Sequence, residues 1–400
     1  MLVLRTSNQP VILPMNTQDA ACPNPACPMQ GLHGAETVGI HSKKEKRFLC
    51  RKCGKTFAAT TGTLFYRRHY GEDFICQVLS LLAHGCPRQA IVATFELDER
   101  TVADWQAAAG EHLKRFHQHL VQQPQLDLAQ VQADELRIKT QQGVVWMALA
   151  MMVSSRLWLG GVVTDKRDKM MARLLASQVR ACALCRPLLV CFDGFAAYVK
   201  AFQAAFRSPQ HTGGRGRPRL IKWPKVVLAQ VIKRRAKRRL TGIERRLVKT
   251  KQRIVSPNHH RFDEQALAVQ LLAGSQGGGV LNTAYIERFN ATMRACLASL
   301  GRRSRCLVRQ MKTLEAGMYL AGCVYNFCTW HQSLRVPLYV LDSSGQQRRW
   351  VERTPAMSAG LTDHRWSLAE LLRYPMLSGS AAVIQGRKAS SKTTVFARAA

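Results

Sequence analysis

The chain has 400 residues, 46% of them hydrophobic, and carries 59 Lys+Arg against 25 Asp+Glu, a formal net charge of +34. Such an excess repels itself unless a polyanion screens it, so nucleic acid is the expected partner, against a merely basic soluble protein or one that sits on anionic membrane. The composition excludes a membrane-spanning chain, because the longest apolar stretch, Gly143 to Val153, is too short to cross a bilayer.

Residues 1–20 read as a flexible leader without the charged start and clean apolar core of a signal peptide. Thirteen cysteines, an odd and unevenly spread set, argue against a disulfide framework and for a reducing cytoplasm, with the nucleoid as the expected location. Residues 21–65 hold two close pairs, Cys22-x4-Cys27 and Cys50-x2-Cys53. Thiolates so spaced fold two knuckles around one tetrahedral cation, and zinc is the expected ion. Gly54 follows the second pair, where a knuckle turn favours positive φ. Arg51, Lys52 and Lys55 put positive charge beside the thiols, and Phe57 is placed to cap a small core. His33 and His41, between the pairs, read as loop residues.

Residues 70–122 read as three helices. Ile75, Val78, Leu79 and Leu82 line one face of the first, which Gly85 ends. A short helix over Arg88–Phe95 buries Ile91, Leu97 sits in the turn, and Asp98 caps a third helix that buries Val102 and Trp105. This is the pattern of a helix-turn-helix, with Arg100 and Thr101 at the start of the reading helix.

Residues 126–335 read as an α/β core. Strands are expected over Leu128–Lys139, Gly143–Val153 and Leu157–Thr164, then a helix over Lys166–Val179, a strand over Pro187–Asp193 and a helix over Ala196–Phe206. Cys182 and Cys185 stand alone before a strand and read as core cysteines. A basic insert, 207–262, follows; its residues 207–261 hold 18 Lys+Arg and one acid, Glu244. Within it Arg215 and Arg217, in Gly-Arg-Gly-Arg-Pro, read equally as a minor-groove arm or a basic linker. The stretch Lys225 to Val248 alternates like a hairpin whose first arm is a fifth core strand; Lys233, Arg234, Arg235, Lys237, Arg238 and Arg239 form its cationic turn, suited to phosphate contact. Helices are expected from near Thr283, over Met311–Phe327 and over Ser367–Arg373, and residues 336–400 form a C-terminal extension.

Three acids stand out. Asp134 lies in the first strand, Asp193 at the end of the fourth, and Glu287 one turn into the helix after the glycines. In a meander followed by helix and strand, the fourth strand pairs beside the first and makes Asp134 and Asp193 neighbours. Two buried carboxylates repel unless a cation lies between them. Two divalent ions held by three acids suit in-line phosphoryl displacement. Glu287, Asn290 and Arg294 share one helical face, with Asn290 and Arg294 placed to hold the substrate backbone and Arg288 to grip flanking DNA.

"CRKCGKTF", "ADEL", "CFDGFAAY", "TAYIERFNATMR" and "RTPAMSAGLTDHRWSLAELL" together resemble a DDE-type insertion-sequence transposase with an N-terminal zinc ribbon, a helix-turn-helix and a ribonuclease-H-like core, over most of residues 20–370. The resemblance implies a multidomain chain: zinc ribbon, all-α helix-turn-helix, then a mixed sheet flanked by helices. It implies Asp134, Asp193 and Glu287 as the catalytic triad, with Mg2+ or Mn2+ as cofactor. Its expected partners are the element's DNA ends and target DNA, handled by a homodimer or larger assembly. The x4 spacing of the first cysteine pair departs from the family pattern.

Overall fold

The computed structural model describes Thr17 and residues 20–32, 34, 36–211, 216–236, 239–248, 263–301, 304–342 and 345–377. The chain divides into two compact units, Met1–Tyr66 with Tyr374–Ala400, and Arg67–Arg373. No helix among the described residues is long and apolar enough to cross a membrane.

The smaller unit carries a three-stranded antiparallel sheet, β1 (Val38–Ser42), β2 (Arg47–Cys50) and β3 (Thr56–Ala58). Phe48 and Phe57 sit opposite each other in β2 and β3, with ring centroids 5.9 Å apart. They and Val38 close over the buried cysteines, so the thiols are themselves part of this small core.

The larger unit opens with α1 (Glu72–Ala83), α2 (Arg88–Phe95) and α3 (Glu99–His117). Ile75, Val78, Leu79 and Leu82 are buried as the periodicity predicts, as are Ile91, Leu97, Val102 and Trp105. Asp98 caps α3 by accepting from the Arg100 and Thr101 N–H groups, at 2.8 and 3.3 Å. These helices belong to the same compact unit as the sheet that follows, whereas the sequence pattern treats residues 70–122 as a domain of their own. The reason lies in α3: at 19 residues it outruns the three-helix motif, and its rear half packs on the core.

That sheet has six strands in the order β11–β10–β7–β4–β5–β6. Here β4 (Gln130–Thr140), β5 (Gly143–Met152) and β6 (Trp158–Thr164) form an antiparallel meander. After α4 (Lys169–Cys182), β7 (Leu188–Phe192) pairs parallel to β4, as expected. Next come α5 (Ala196–Ala205) and a separate hairpin of β8 (Arg207–Gln210) and β9 (Arg219–Lys222). Strand β10 (Val226–Ala236) joins parallel to β7 as the fifth core strand, and β11 (Arg239–Leu247) returns antiparallel on the edge. Cys182 is buried as expected but Cys185 is exposed, because α4 ends at Cys182 and the chain turns outward before β7.

Side chains alternate across a strand, and the contacts of β4 assign the two faces. Gln130, Gln132 and Asp134 look toward α6 (Glu264–Gln276) and α7 (Ala284–Cys296); Glu135 looks toward α5. Last come α8 (Met311–Cys323), a hairpin of β12 (Val336–Asp342) and β13 (Gly345–Val351), α9 (Pro355–Ser358) and α10 (Leu368–Arg373). Helix α8 lies on the α7 side of the sheet: a Cβ at Gly161 of β6 would meet Met318 and Leu149. A Cβ at Gly110 of α3 would collide with Ala316 of α8, so the two helices touch backbone to backbone there. Lys114 and Glu315 pair at 2.9 Å along the same contact.

Candidate functional site

Two clusters of same-sign ligands stand out among the described residues: Cys22, Cys27, Cys50 and Cys53, and Asp134, Glu135 and Asp193. In each, one donor atom per residue lies within 4.8 Å of all the others.

The thiol cluster is built by local turns. Sγ of Cys22 lies 3.7 Å from that of Cys53, and Sγ of Cys27 3.9 Å from that of Cys50. Zinc–sulfur bonds of about 2.3 Å in a tetrahedron put sulfurs about 3.8 Å apart, so four thiolates fit zinc as they stand. The longer first loop is accommodated by a turn in which the Cys27 N–H donates to the Asn24 carbonyl at 3.0 Å. Met29 N–H donates to Cys27 Sγ at 3.4 Å. Gly54 has φ of +69°, as a knuckle needs. The Lys55 N–H holds the Cys53 thiol down, at about 6, while burial pushes Cys22 up to about 12 and also raises Cys27. Buried thiols of this kind lose their protons to a metal rather than to water. His41 is exposed on β1, and His33 lies outside the described residues.

The acid cluster is built by sheet register. Gln130, Gln132 and Ala133 of β4 stand opposite Leu189, Cys191 and Phe192 of β7, so Asp134 and Asp193 each follow one residue beyond the last pair, with a carboxylate oxygen of each within 4.8 Å of the other. Asp134 faces α7. Helix α7 is held over Asp134 by a side chain that the sequence does not advertise. Gln132 Oε1 accepts from the Tyr285 and Ile286 N–H groups at 3.1 and 3.0 Å, and its Nε2 donates to Asn282. A strand glutamine thus replaces the missing N-cap of Thr283, whose side chain makes no cap bond.

One turn on, Asn290 Nδ2 donates to Asp134 Oδ2 at 2.8 Å, and Asn290 is buried. The sequence assigns Asn290 to the substrate backbone; the structure commits it to Asp134, because α7 packs directly on β4 at that point. Asn290 Oδ1 is buried with no hydrogen-bond partner among the described residues. That orphaned acceptor beside an acidic cluster fits a cation and its hydrating water.

Glu287 stands apart from the three-acid group. Its Oε1 pairs with Lys233 of β10 and accepts from Thr283 Oγ1 at 2.5 Å. The third acid beside Asp134 and Asp193 is Glu135, where the sequence pattern points to Glu287. Glu135 reaches the group from the other face of β4, at the strand end where β7 has stopped. There it receives the Tyr198 hydroxyl at 3.0 Å and pairs with Arg167. Arg167 also donates to Asp193 Oδ2 at 3.2 Å, while the Phe195 N–H donates to Asp193 Oδ1 at 2.9 Å. The guanidinium lies between the Phe195 and Trp146 rings, its carbon 4.1 and 5.5 Å from their centroids. Arg167 is available because α4 begins at Lys169 rather than Lys166. Asp168 caps it, accepting from the Met170 and Met171 N–H groups, and leaves Arg167 in the loop.

Burial first, then the Glu135 charge, with smaller contributions from Asp193 and Glu287, pushes Asp134 up to about 7, against the pull of the Glu135 N–H. Burial and Asp193 also raise Glu135, opposed by Arg167 and Tyr198. Burial keeps Tyr198 protonated, so its hydroxyl donates to Glu135. A crowded set of hard oxygen donors, one of which holds its proton near neutrality for want of positive charge, suits Mg2+ or Mn2+.

The basic residues take varied places. Arg100 is exposed at the start of α3 and Thr101 is half-buried. Arg217 is exposed in the β8–β9 connection; Arg215 and Arg238 lie outside the described residues. Lys233 and Arg234 belong to β10 rather than to a solvated turn: Lys233 faces Glu287, and Arg234 pairs with Glu244 at 2.7 Å. Arg235 follows on β10, and Arg239 is exposed at the start of β11. Arg288 and Arg294 are exposed on α7. No family model matches the chain, and no curated protein matches it.

Proposed function

We propose that the chain is a DDE-type DNA transposase with a ribonuclease-H-like core, a zinc ribbon and a helix-turn-helix. The reading rests above all on the approach of Asp134 and Asp193, just beyond the last β4–β7 pair, to within 4.8 Å of each other, with Asp134 held by Asn290 of α7. Divalent ions bound there would supply the positive charge that in-line phosphoryl displacement requires. Asp134 and Asp193 would hold them from adjacent strands, with Glu287 completing the set once released from Lys233. Asn290 fixes the Asp134 carboxylate, and Arg167 fixes that of Asp193, so neither acid has to be reorganised when DNA arrives.

Support for DNA as substrate comes from the net charge of +34 and from Arg100 at the exposed start of α3. The helix-turn-helix and zinc ribbon would recognise the element's ends, and the core would hydrolyse there and join the freed 3′-hydroxyl to target DNA. Two ends must be handled together, so a dimer or larger assembly on DNA is part of the proposal.

The deciding experiment incubates purified protein with Mg2+ and labelled DNA carrying the ends of the encoding element. Strand transfer is expected, and Asp193→Asn should lower it by at least ~10³-fold while sparing binding. Cleavage without joining would reassign the chain as a metal-dependent nuclease. Binding alone would make it a regulator, a reading that the Lys233–Glu287 pair favours.

A further inference from the structure

Away from the acids, three cationic or basic side chains gather without a carboxylate. Arg156 sits in the turn after β5 with φ of +59°. Its guanidinium donates to the Val153 carbonyl and lies over the Tyr285 ring, 4.0 Å from the centroid. Tyr285 and Arg288, three residues apart, share a face of α7. His331 stands beside Tyr325, with ring centroids 6.2 Å apart, and its Nδ1 is 3.0 Å from Ser333 Oγ. Tyr325 in turn packs on Phe289 of α7, at 4.8 Å.

No carboxylate pairs with Arg156 or Arg288 among the described residues. The groups act on one another instead. Burial weakens Arg156's hold on its proton, opposed by Tyr285 and Tyr325, with a smaller push from the Arg288 charge; burial, Arg156 and Arg288 lower His331. A half-buried guanidinium fixed by a ring and a carbonyl, with a second cation beside it, keeps an electrostatic cost that an anion would offset. The two forks and an imidazole offer more donors than a carboxylate accepts, and a phosphate, with its extra oxygens, matches them.

We propose that Arg156, Arg288 and His331 form a phosphate-binding site, held rigid by Tyr285 and Tyr325, that grips the backbone of DNA. The DNA source of the phosphate rests on the function proposed above; the site itself rests on the unpaired cations. Arg156 is its half-buried element and Arg288 its exposed one.

The test measures binding of the full chain to a fluorescent duplex of about 30 base pairs between about 50 and 200 mM KCl. Each lost phosphate contact reduces the log–log salt slope by ~0.9, so Arg156→Gln/Arg288→Gln should reduce it by about 2. Arg288→Gln alone, an exposed change that keeps the fold, should reduce it by about 1, and Arg156→Lys should retain the slope. In parallel, inorganic phosphate replaces chloride at constant ionic strength in a thermal melt. An unchanged slope, with phosphate stabilising the wild type but not the double variant, would overturn the DNA assignment in favour of a free anion. An unchanged slope with equal melts would overturn the site altogether. Strand transfer by the wild type with an unchanged slope in the variants would sink this site and leave the transposase reading standing. A reduced slope without any cleavage would do the reverse.

Discussion

The two ligand clusters solve the same problem, gathering groups that repel when ionised, in opposite ways. The thiols come together within 32 residues through turns that point their own N–H groups at sulfur, and their sulfur–sulfur distances of 3.7 and 3.9 Å already suit a tetrahedral ion. The acids come from β4 and from the end of β7, and they are kept together by borrowed partners: Asn290, Arg167 and Tyr198. A site made of turns is as good as its local geometry, whereas a site made by register depends on every element that fixes the register. The thiol cluster should therefore fail by losing its ion, and the acid cluster by losing its scaffold.

The largest effect should come from stripping the thiol site. Elemental analysis should find one zinc per chain, and Cys50→Ser should abolish it. Structural zinc contributes on the order of 10 kcal/mol, so amide exchange through β1–β3 should lose its protection. A chain that keeps that protection without zinc would make the cysteines a packed core and nothing more.

Next comes the scaffold of the acid site. Gln132→Ala removes the acceptor for two N–H groups at the start of α7 and should cost about 2–5 kcal/mol, read as a lower denaturation midpoint. It should also weaken Mn2+ binding although Gln132 is no ligand. A loss of stability with Mn2+ affinity intact would mean that α7 does not position the acids.

The pH response should separate the clusters further. Asp134, raised from 3.8 to about 7, holds its proton in the folded state across that range. Its contribution to stability is thus fully present below about pH 4 and is lost as pH rises through 7 in the absence of metal. Mn2+ requires the carboxylate, so its affinity should climb by up to about tenfold per pH unit below 7 and level off above. A flat titration from pH 6 to 8, outside this expectation, would remove Asp134 from the ligand set.

The smallest effect should come from Arg234→Gln. Its pair with Glu244 is exposed on an edge hairpin, and removing it should cost about 0.5 kcal/mol or less in a melt. A larger loss would mean that β10 and β11 rely on that pair for their register.

Much of this was legible from residue order. The strands, the β4–β7 pairing and the Asp98 cap follow from periodicity, chain topology and capping chemistry, all of which act over short distances or few alternatives. The thiol site was legible because its ligands lie close in sequence. What escaped was non-local. Gln132 reads as one more polar strand residue until α7 is laid upon it. Arg167 is hidden until Asp168 is seen to start the helix. Asn290 was placed on the right face, but its partner depends on how closely α7 approaches β4. Glu135 was passed over because Asp134 matches the first acid of the transposase pattern; neighbours on a strand point to opposite faces, a rule that stops separating them where β7 ends at Phe192. The docking of α1–α3 on the core was also out of reach, since it depends on contacts such as Gly110 on Ala316 that connect residues 206 positions apart.

The claim on which the rest stands is that Asp134 and Asp193 share divalent cations. Titrating Mn2+ into the full chain at pH 7.5, with free ion followed by electron paramagnetic resonance, tests it without any assumption about substrate. Wild-type protein should bind Mn2+ in the acid cluster, and Asp134→Asn and Asp193→Asn should each weaken that binding at least ~10-fold with the fold retained. Wild-type affinity in a folded Asp193→Asn protein would contradict the account.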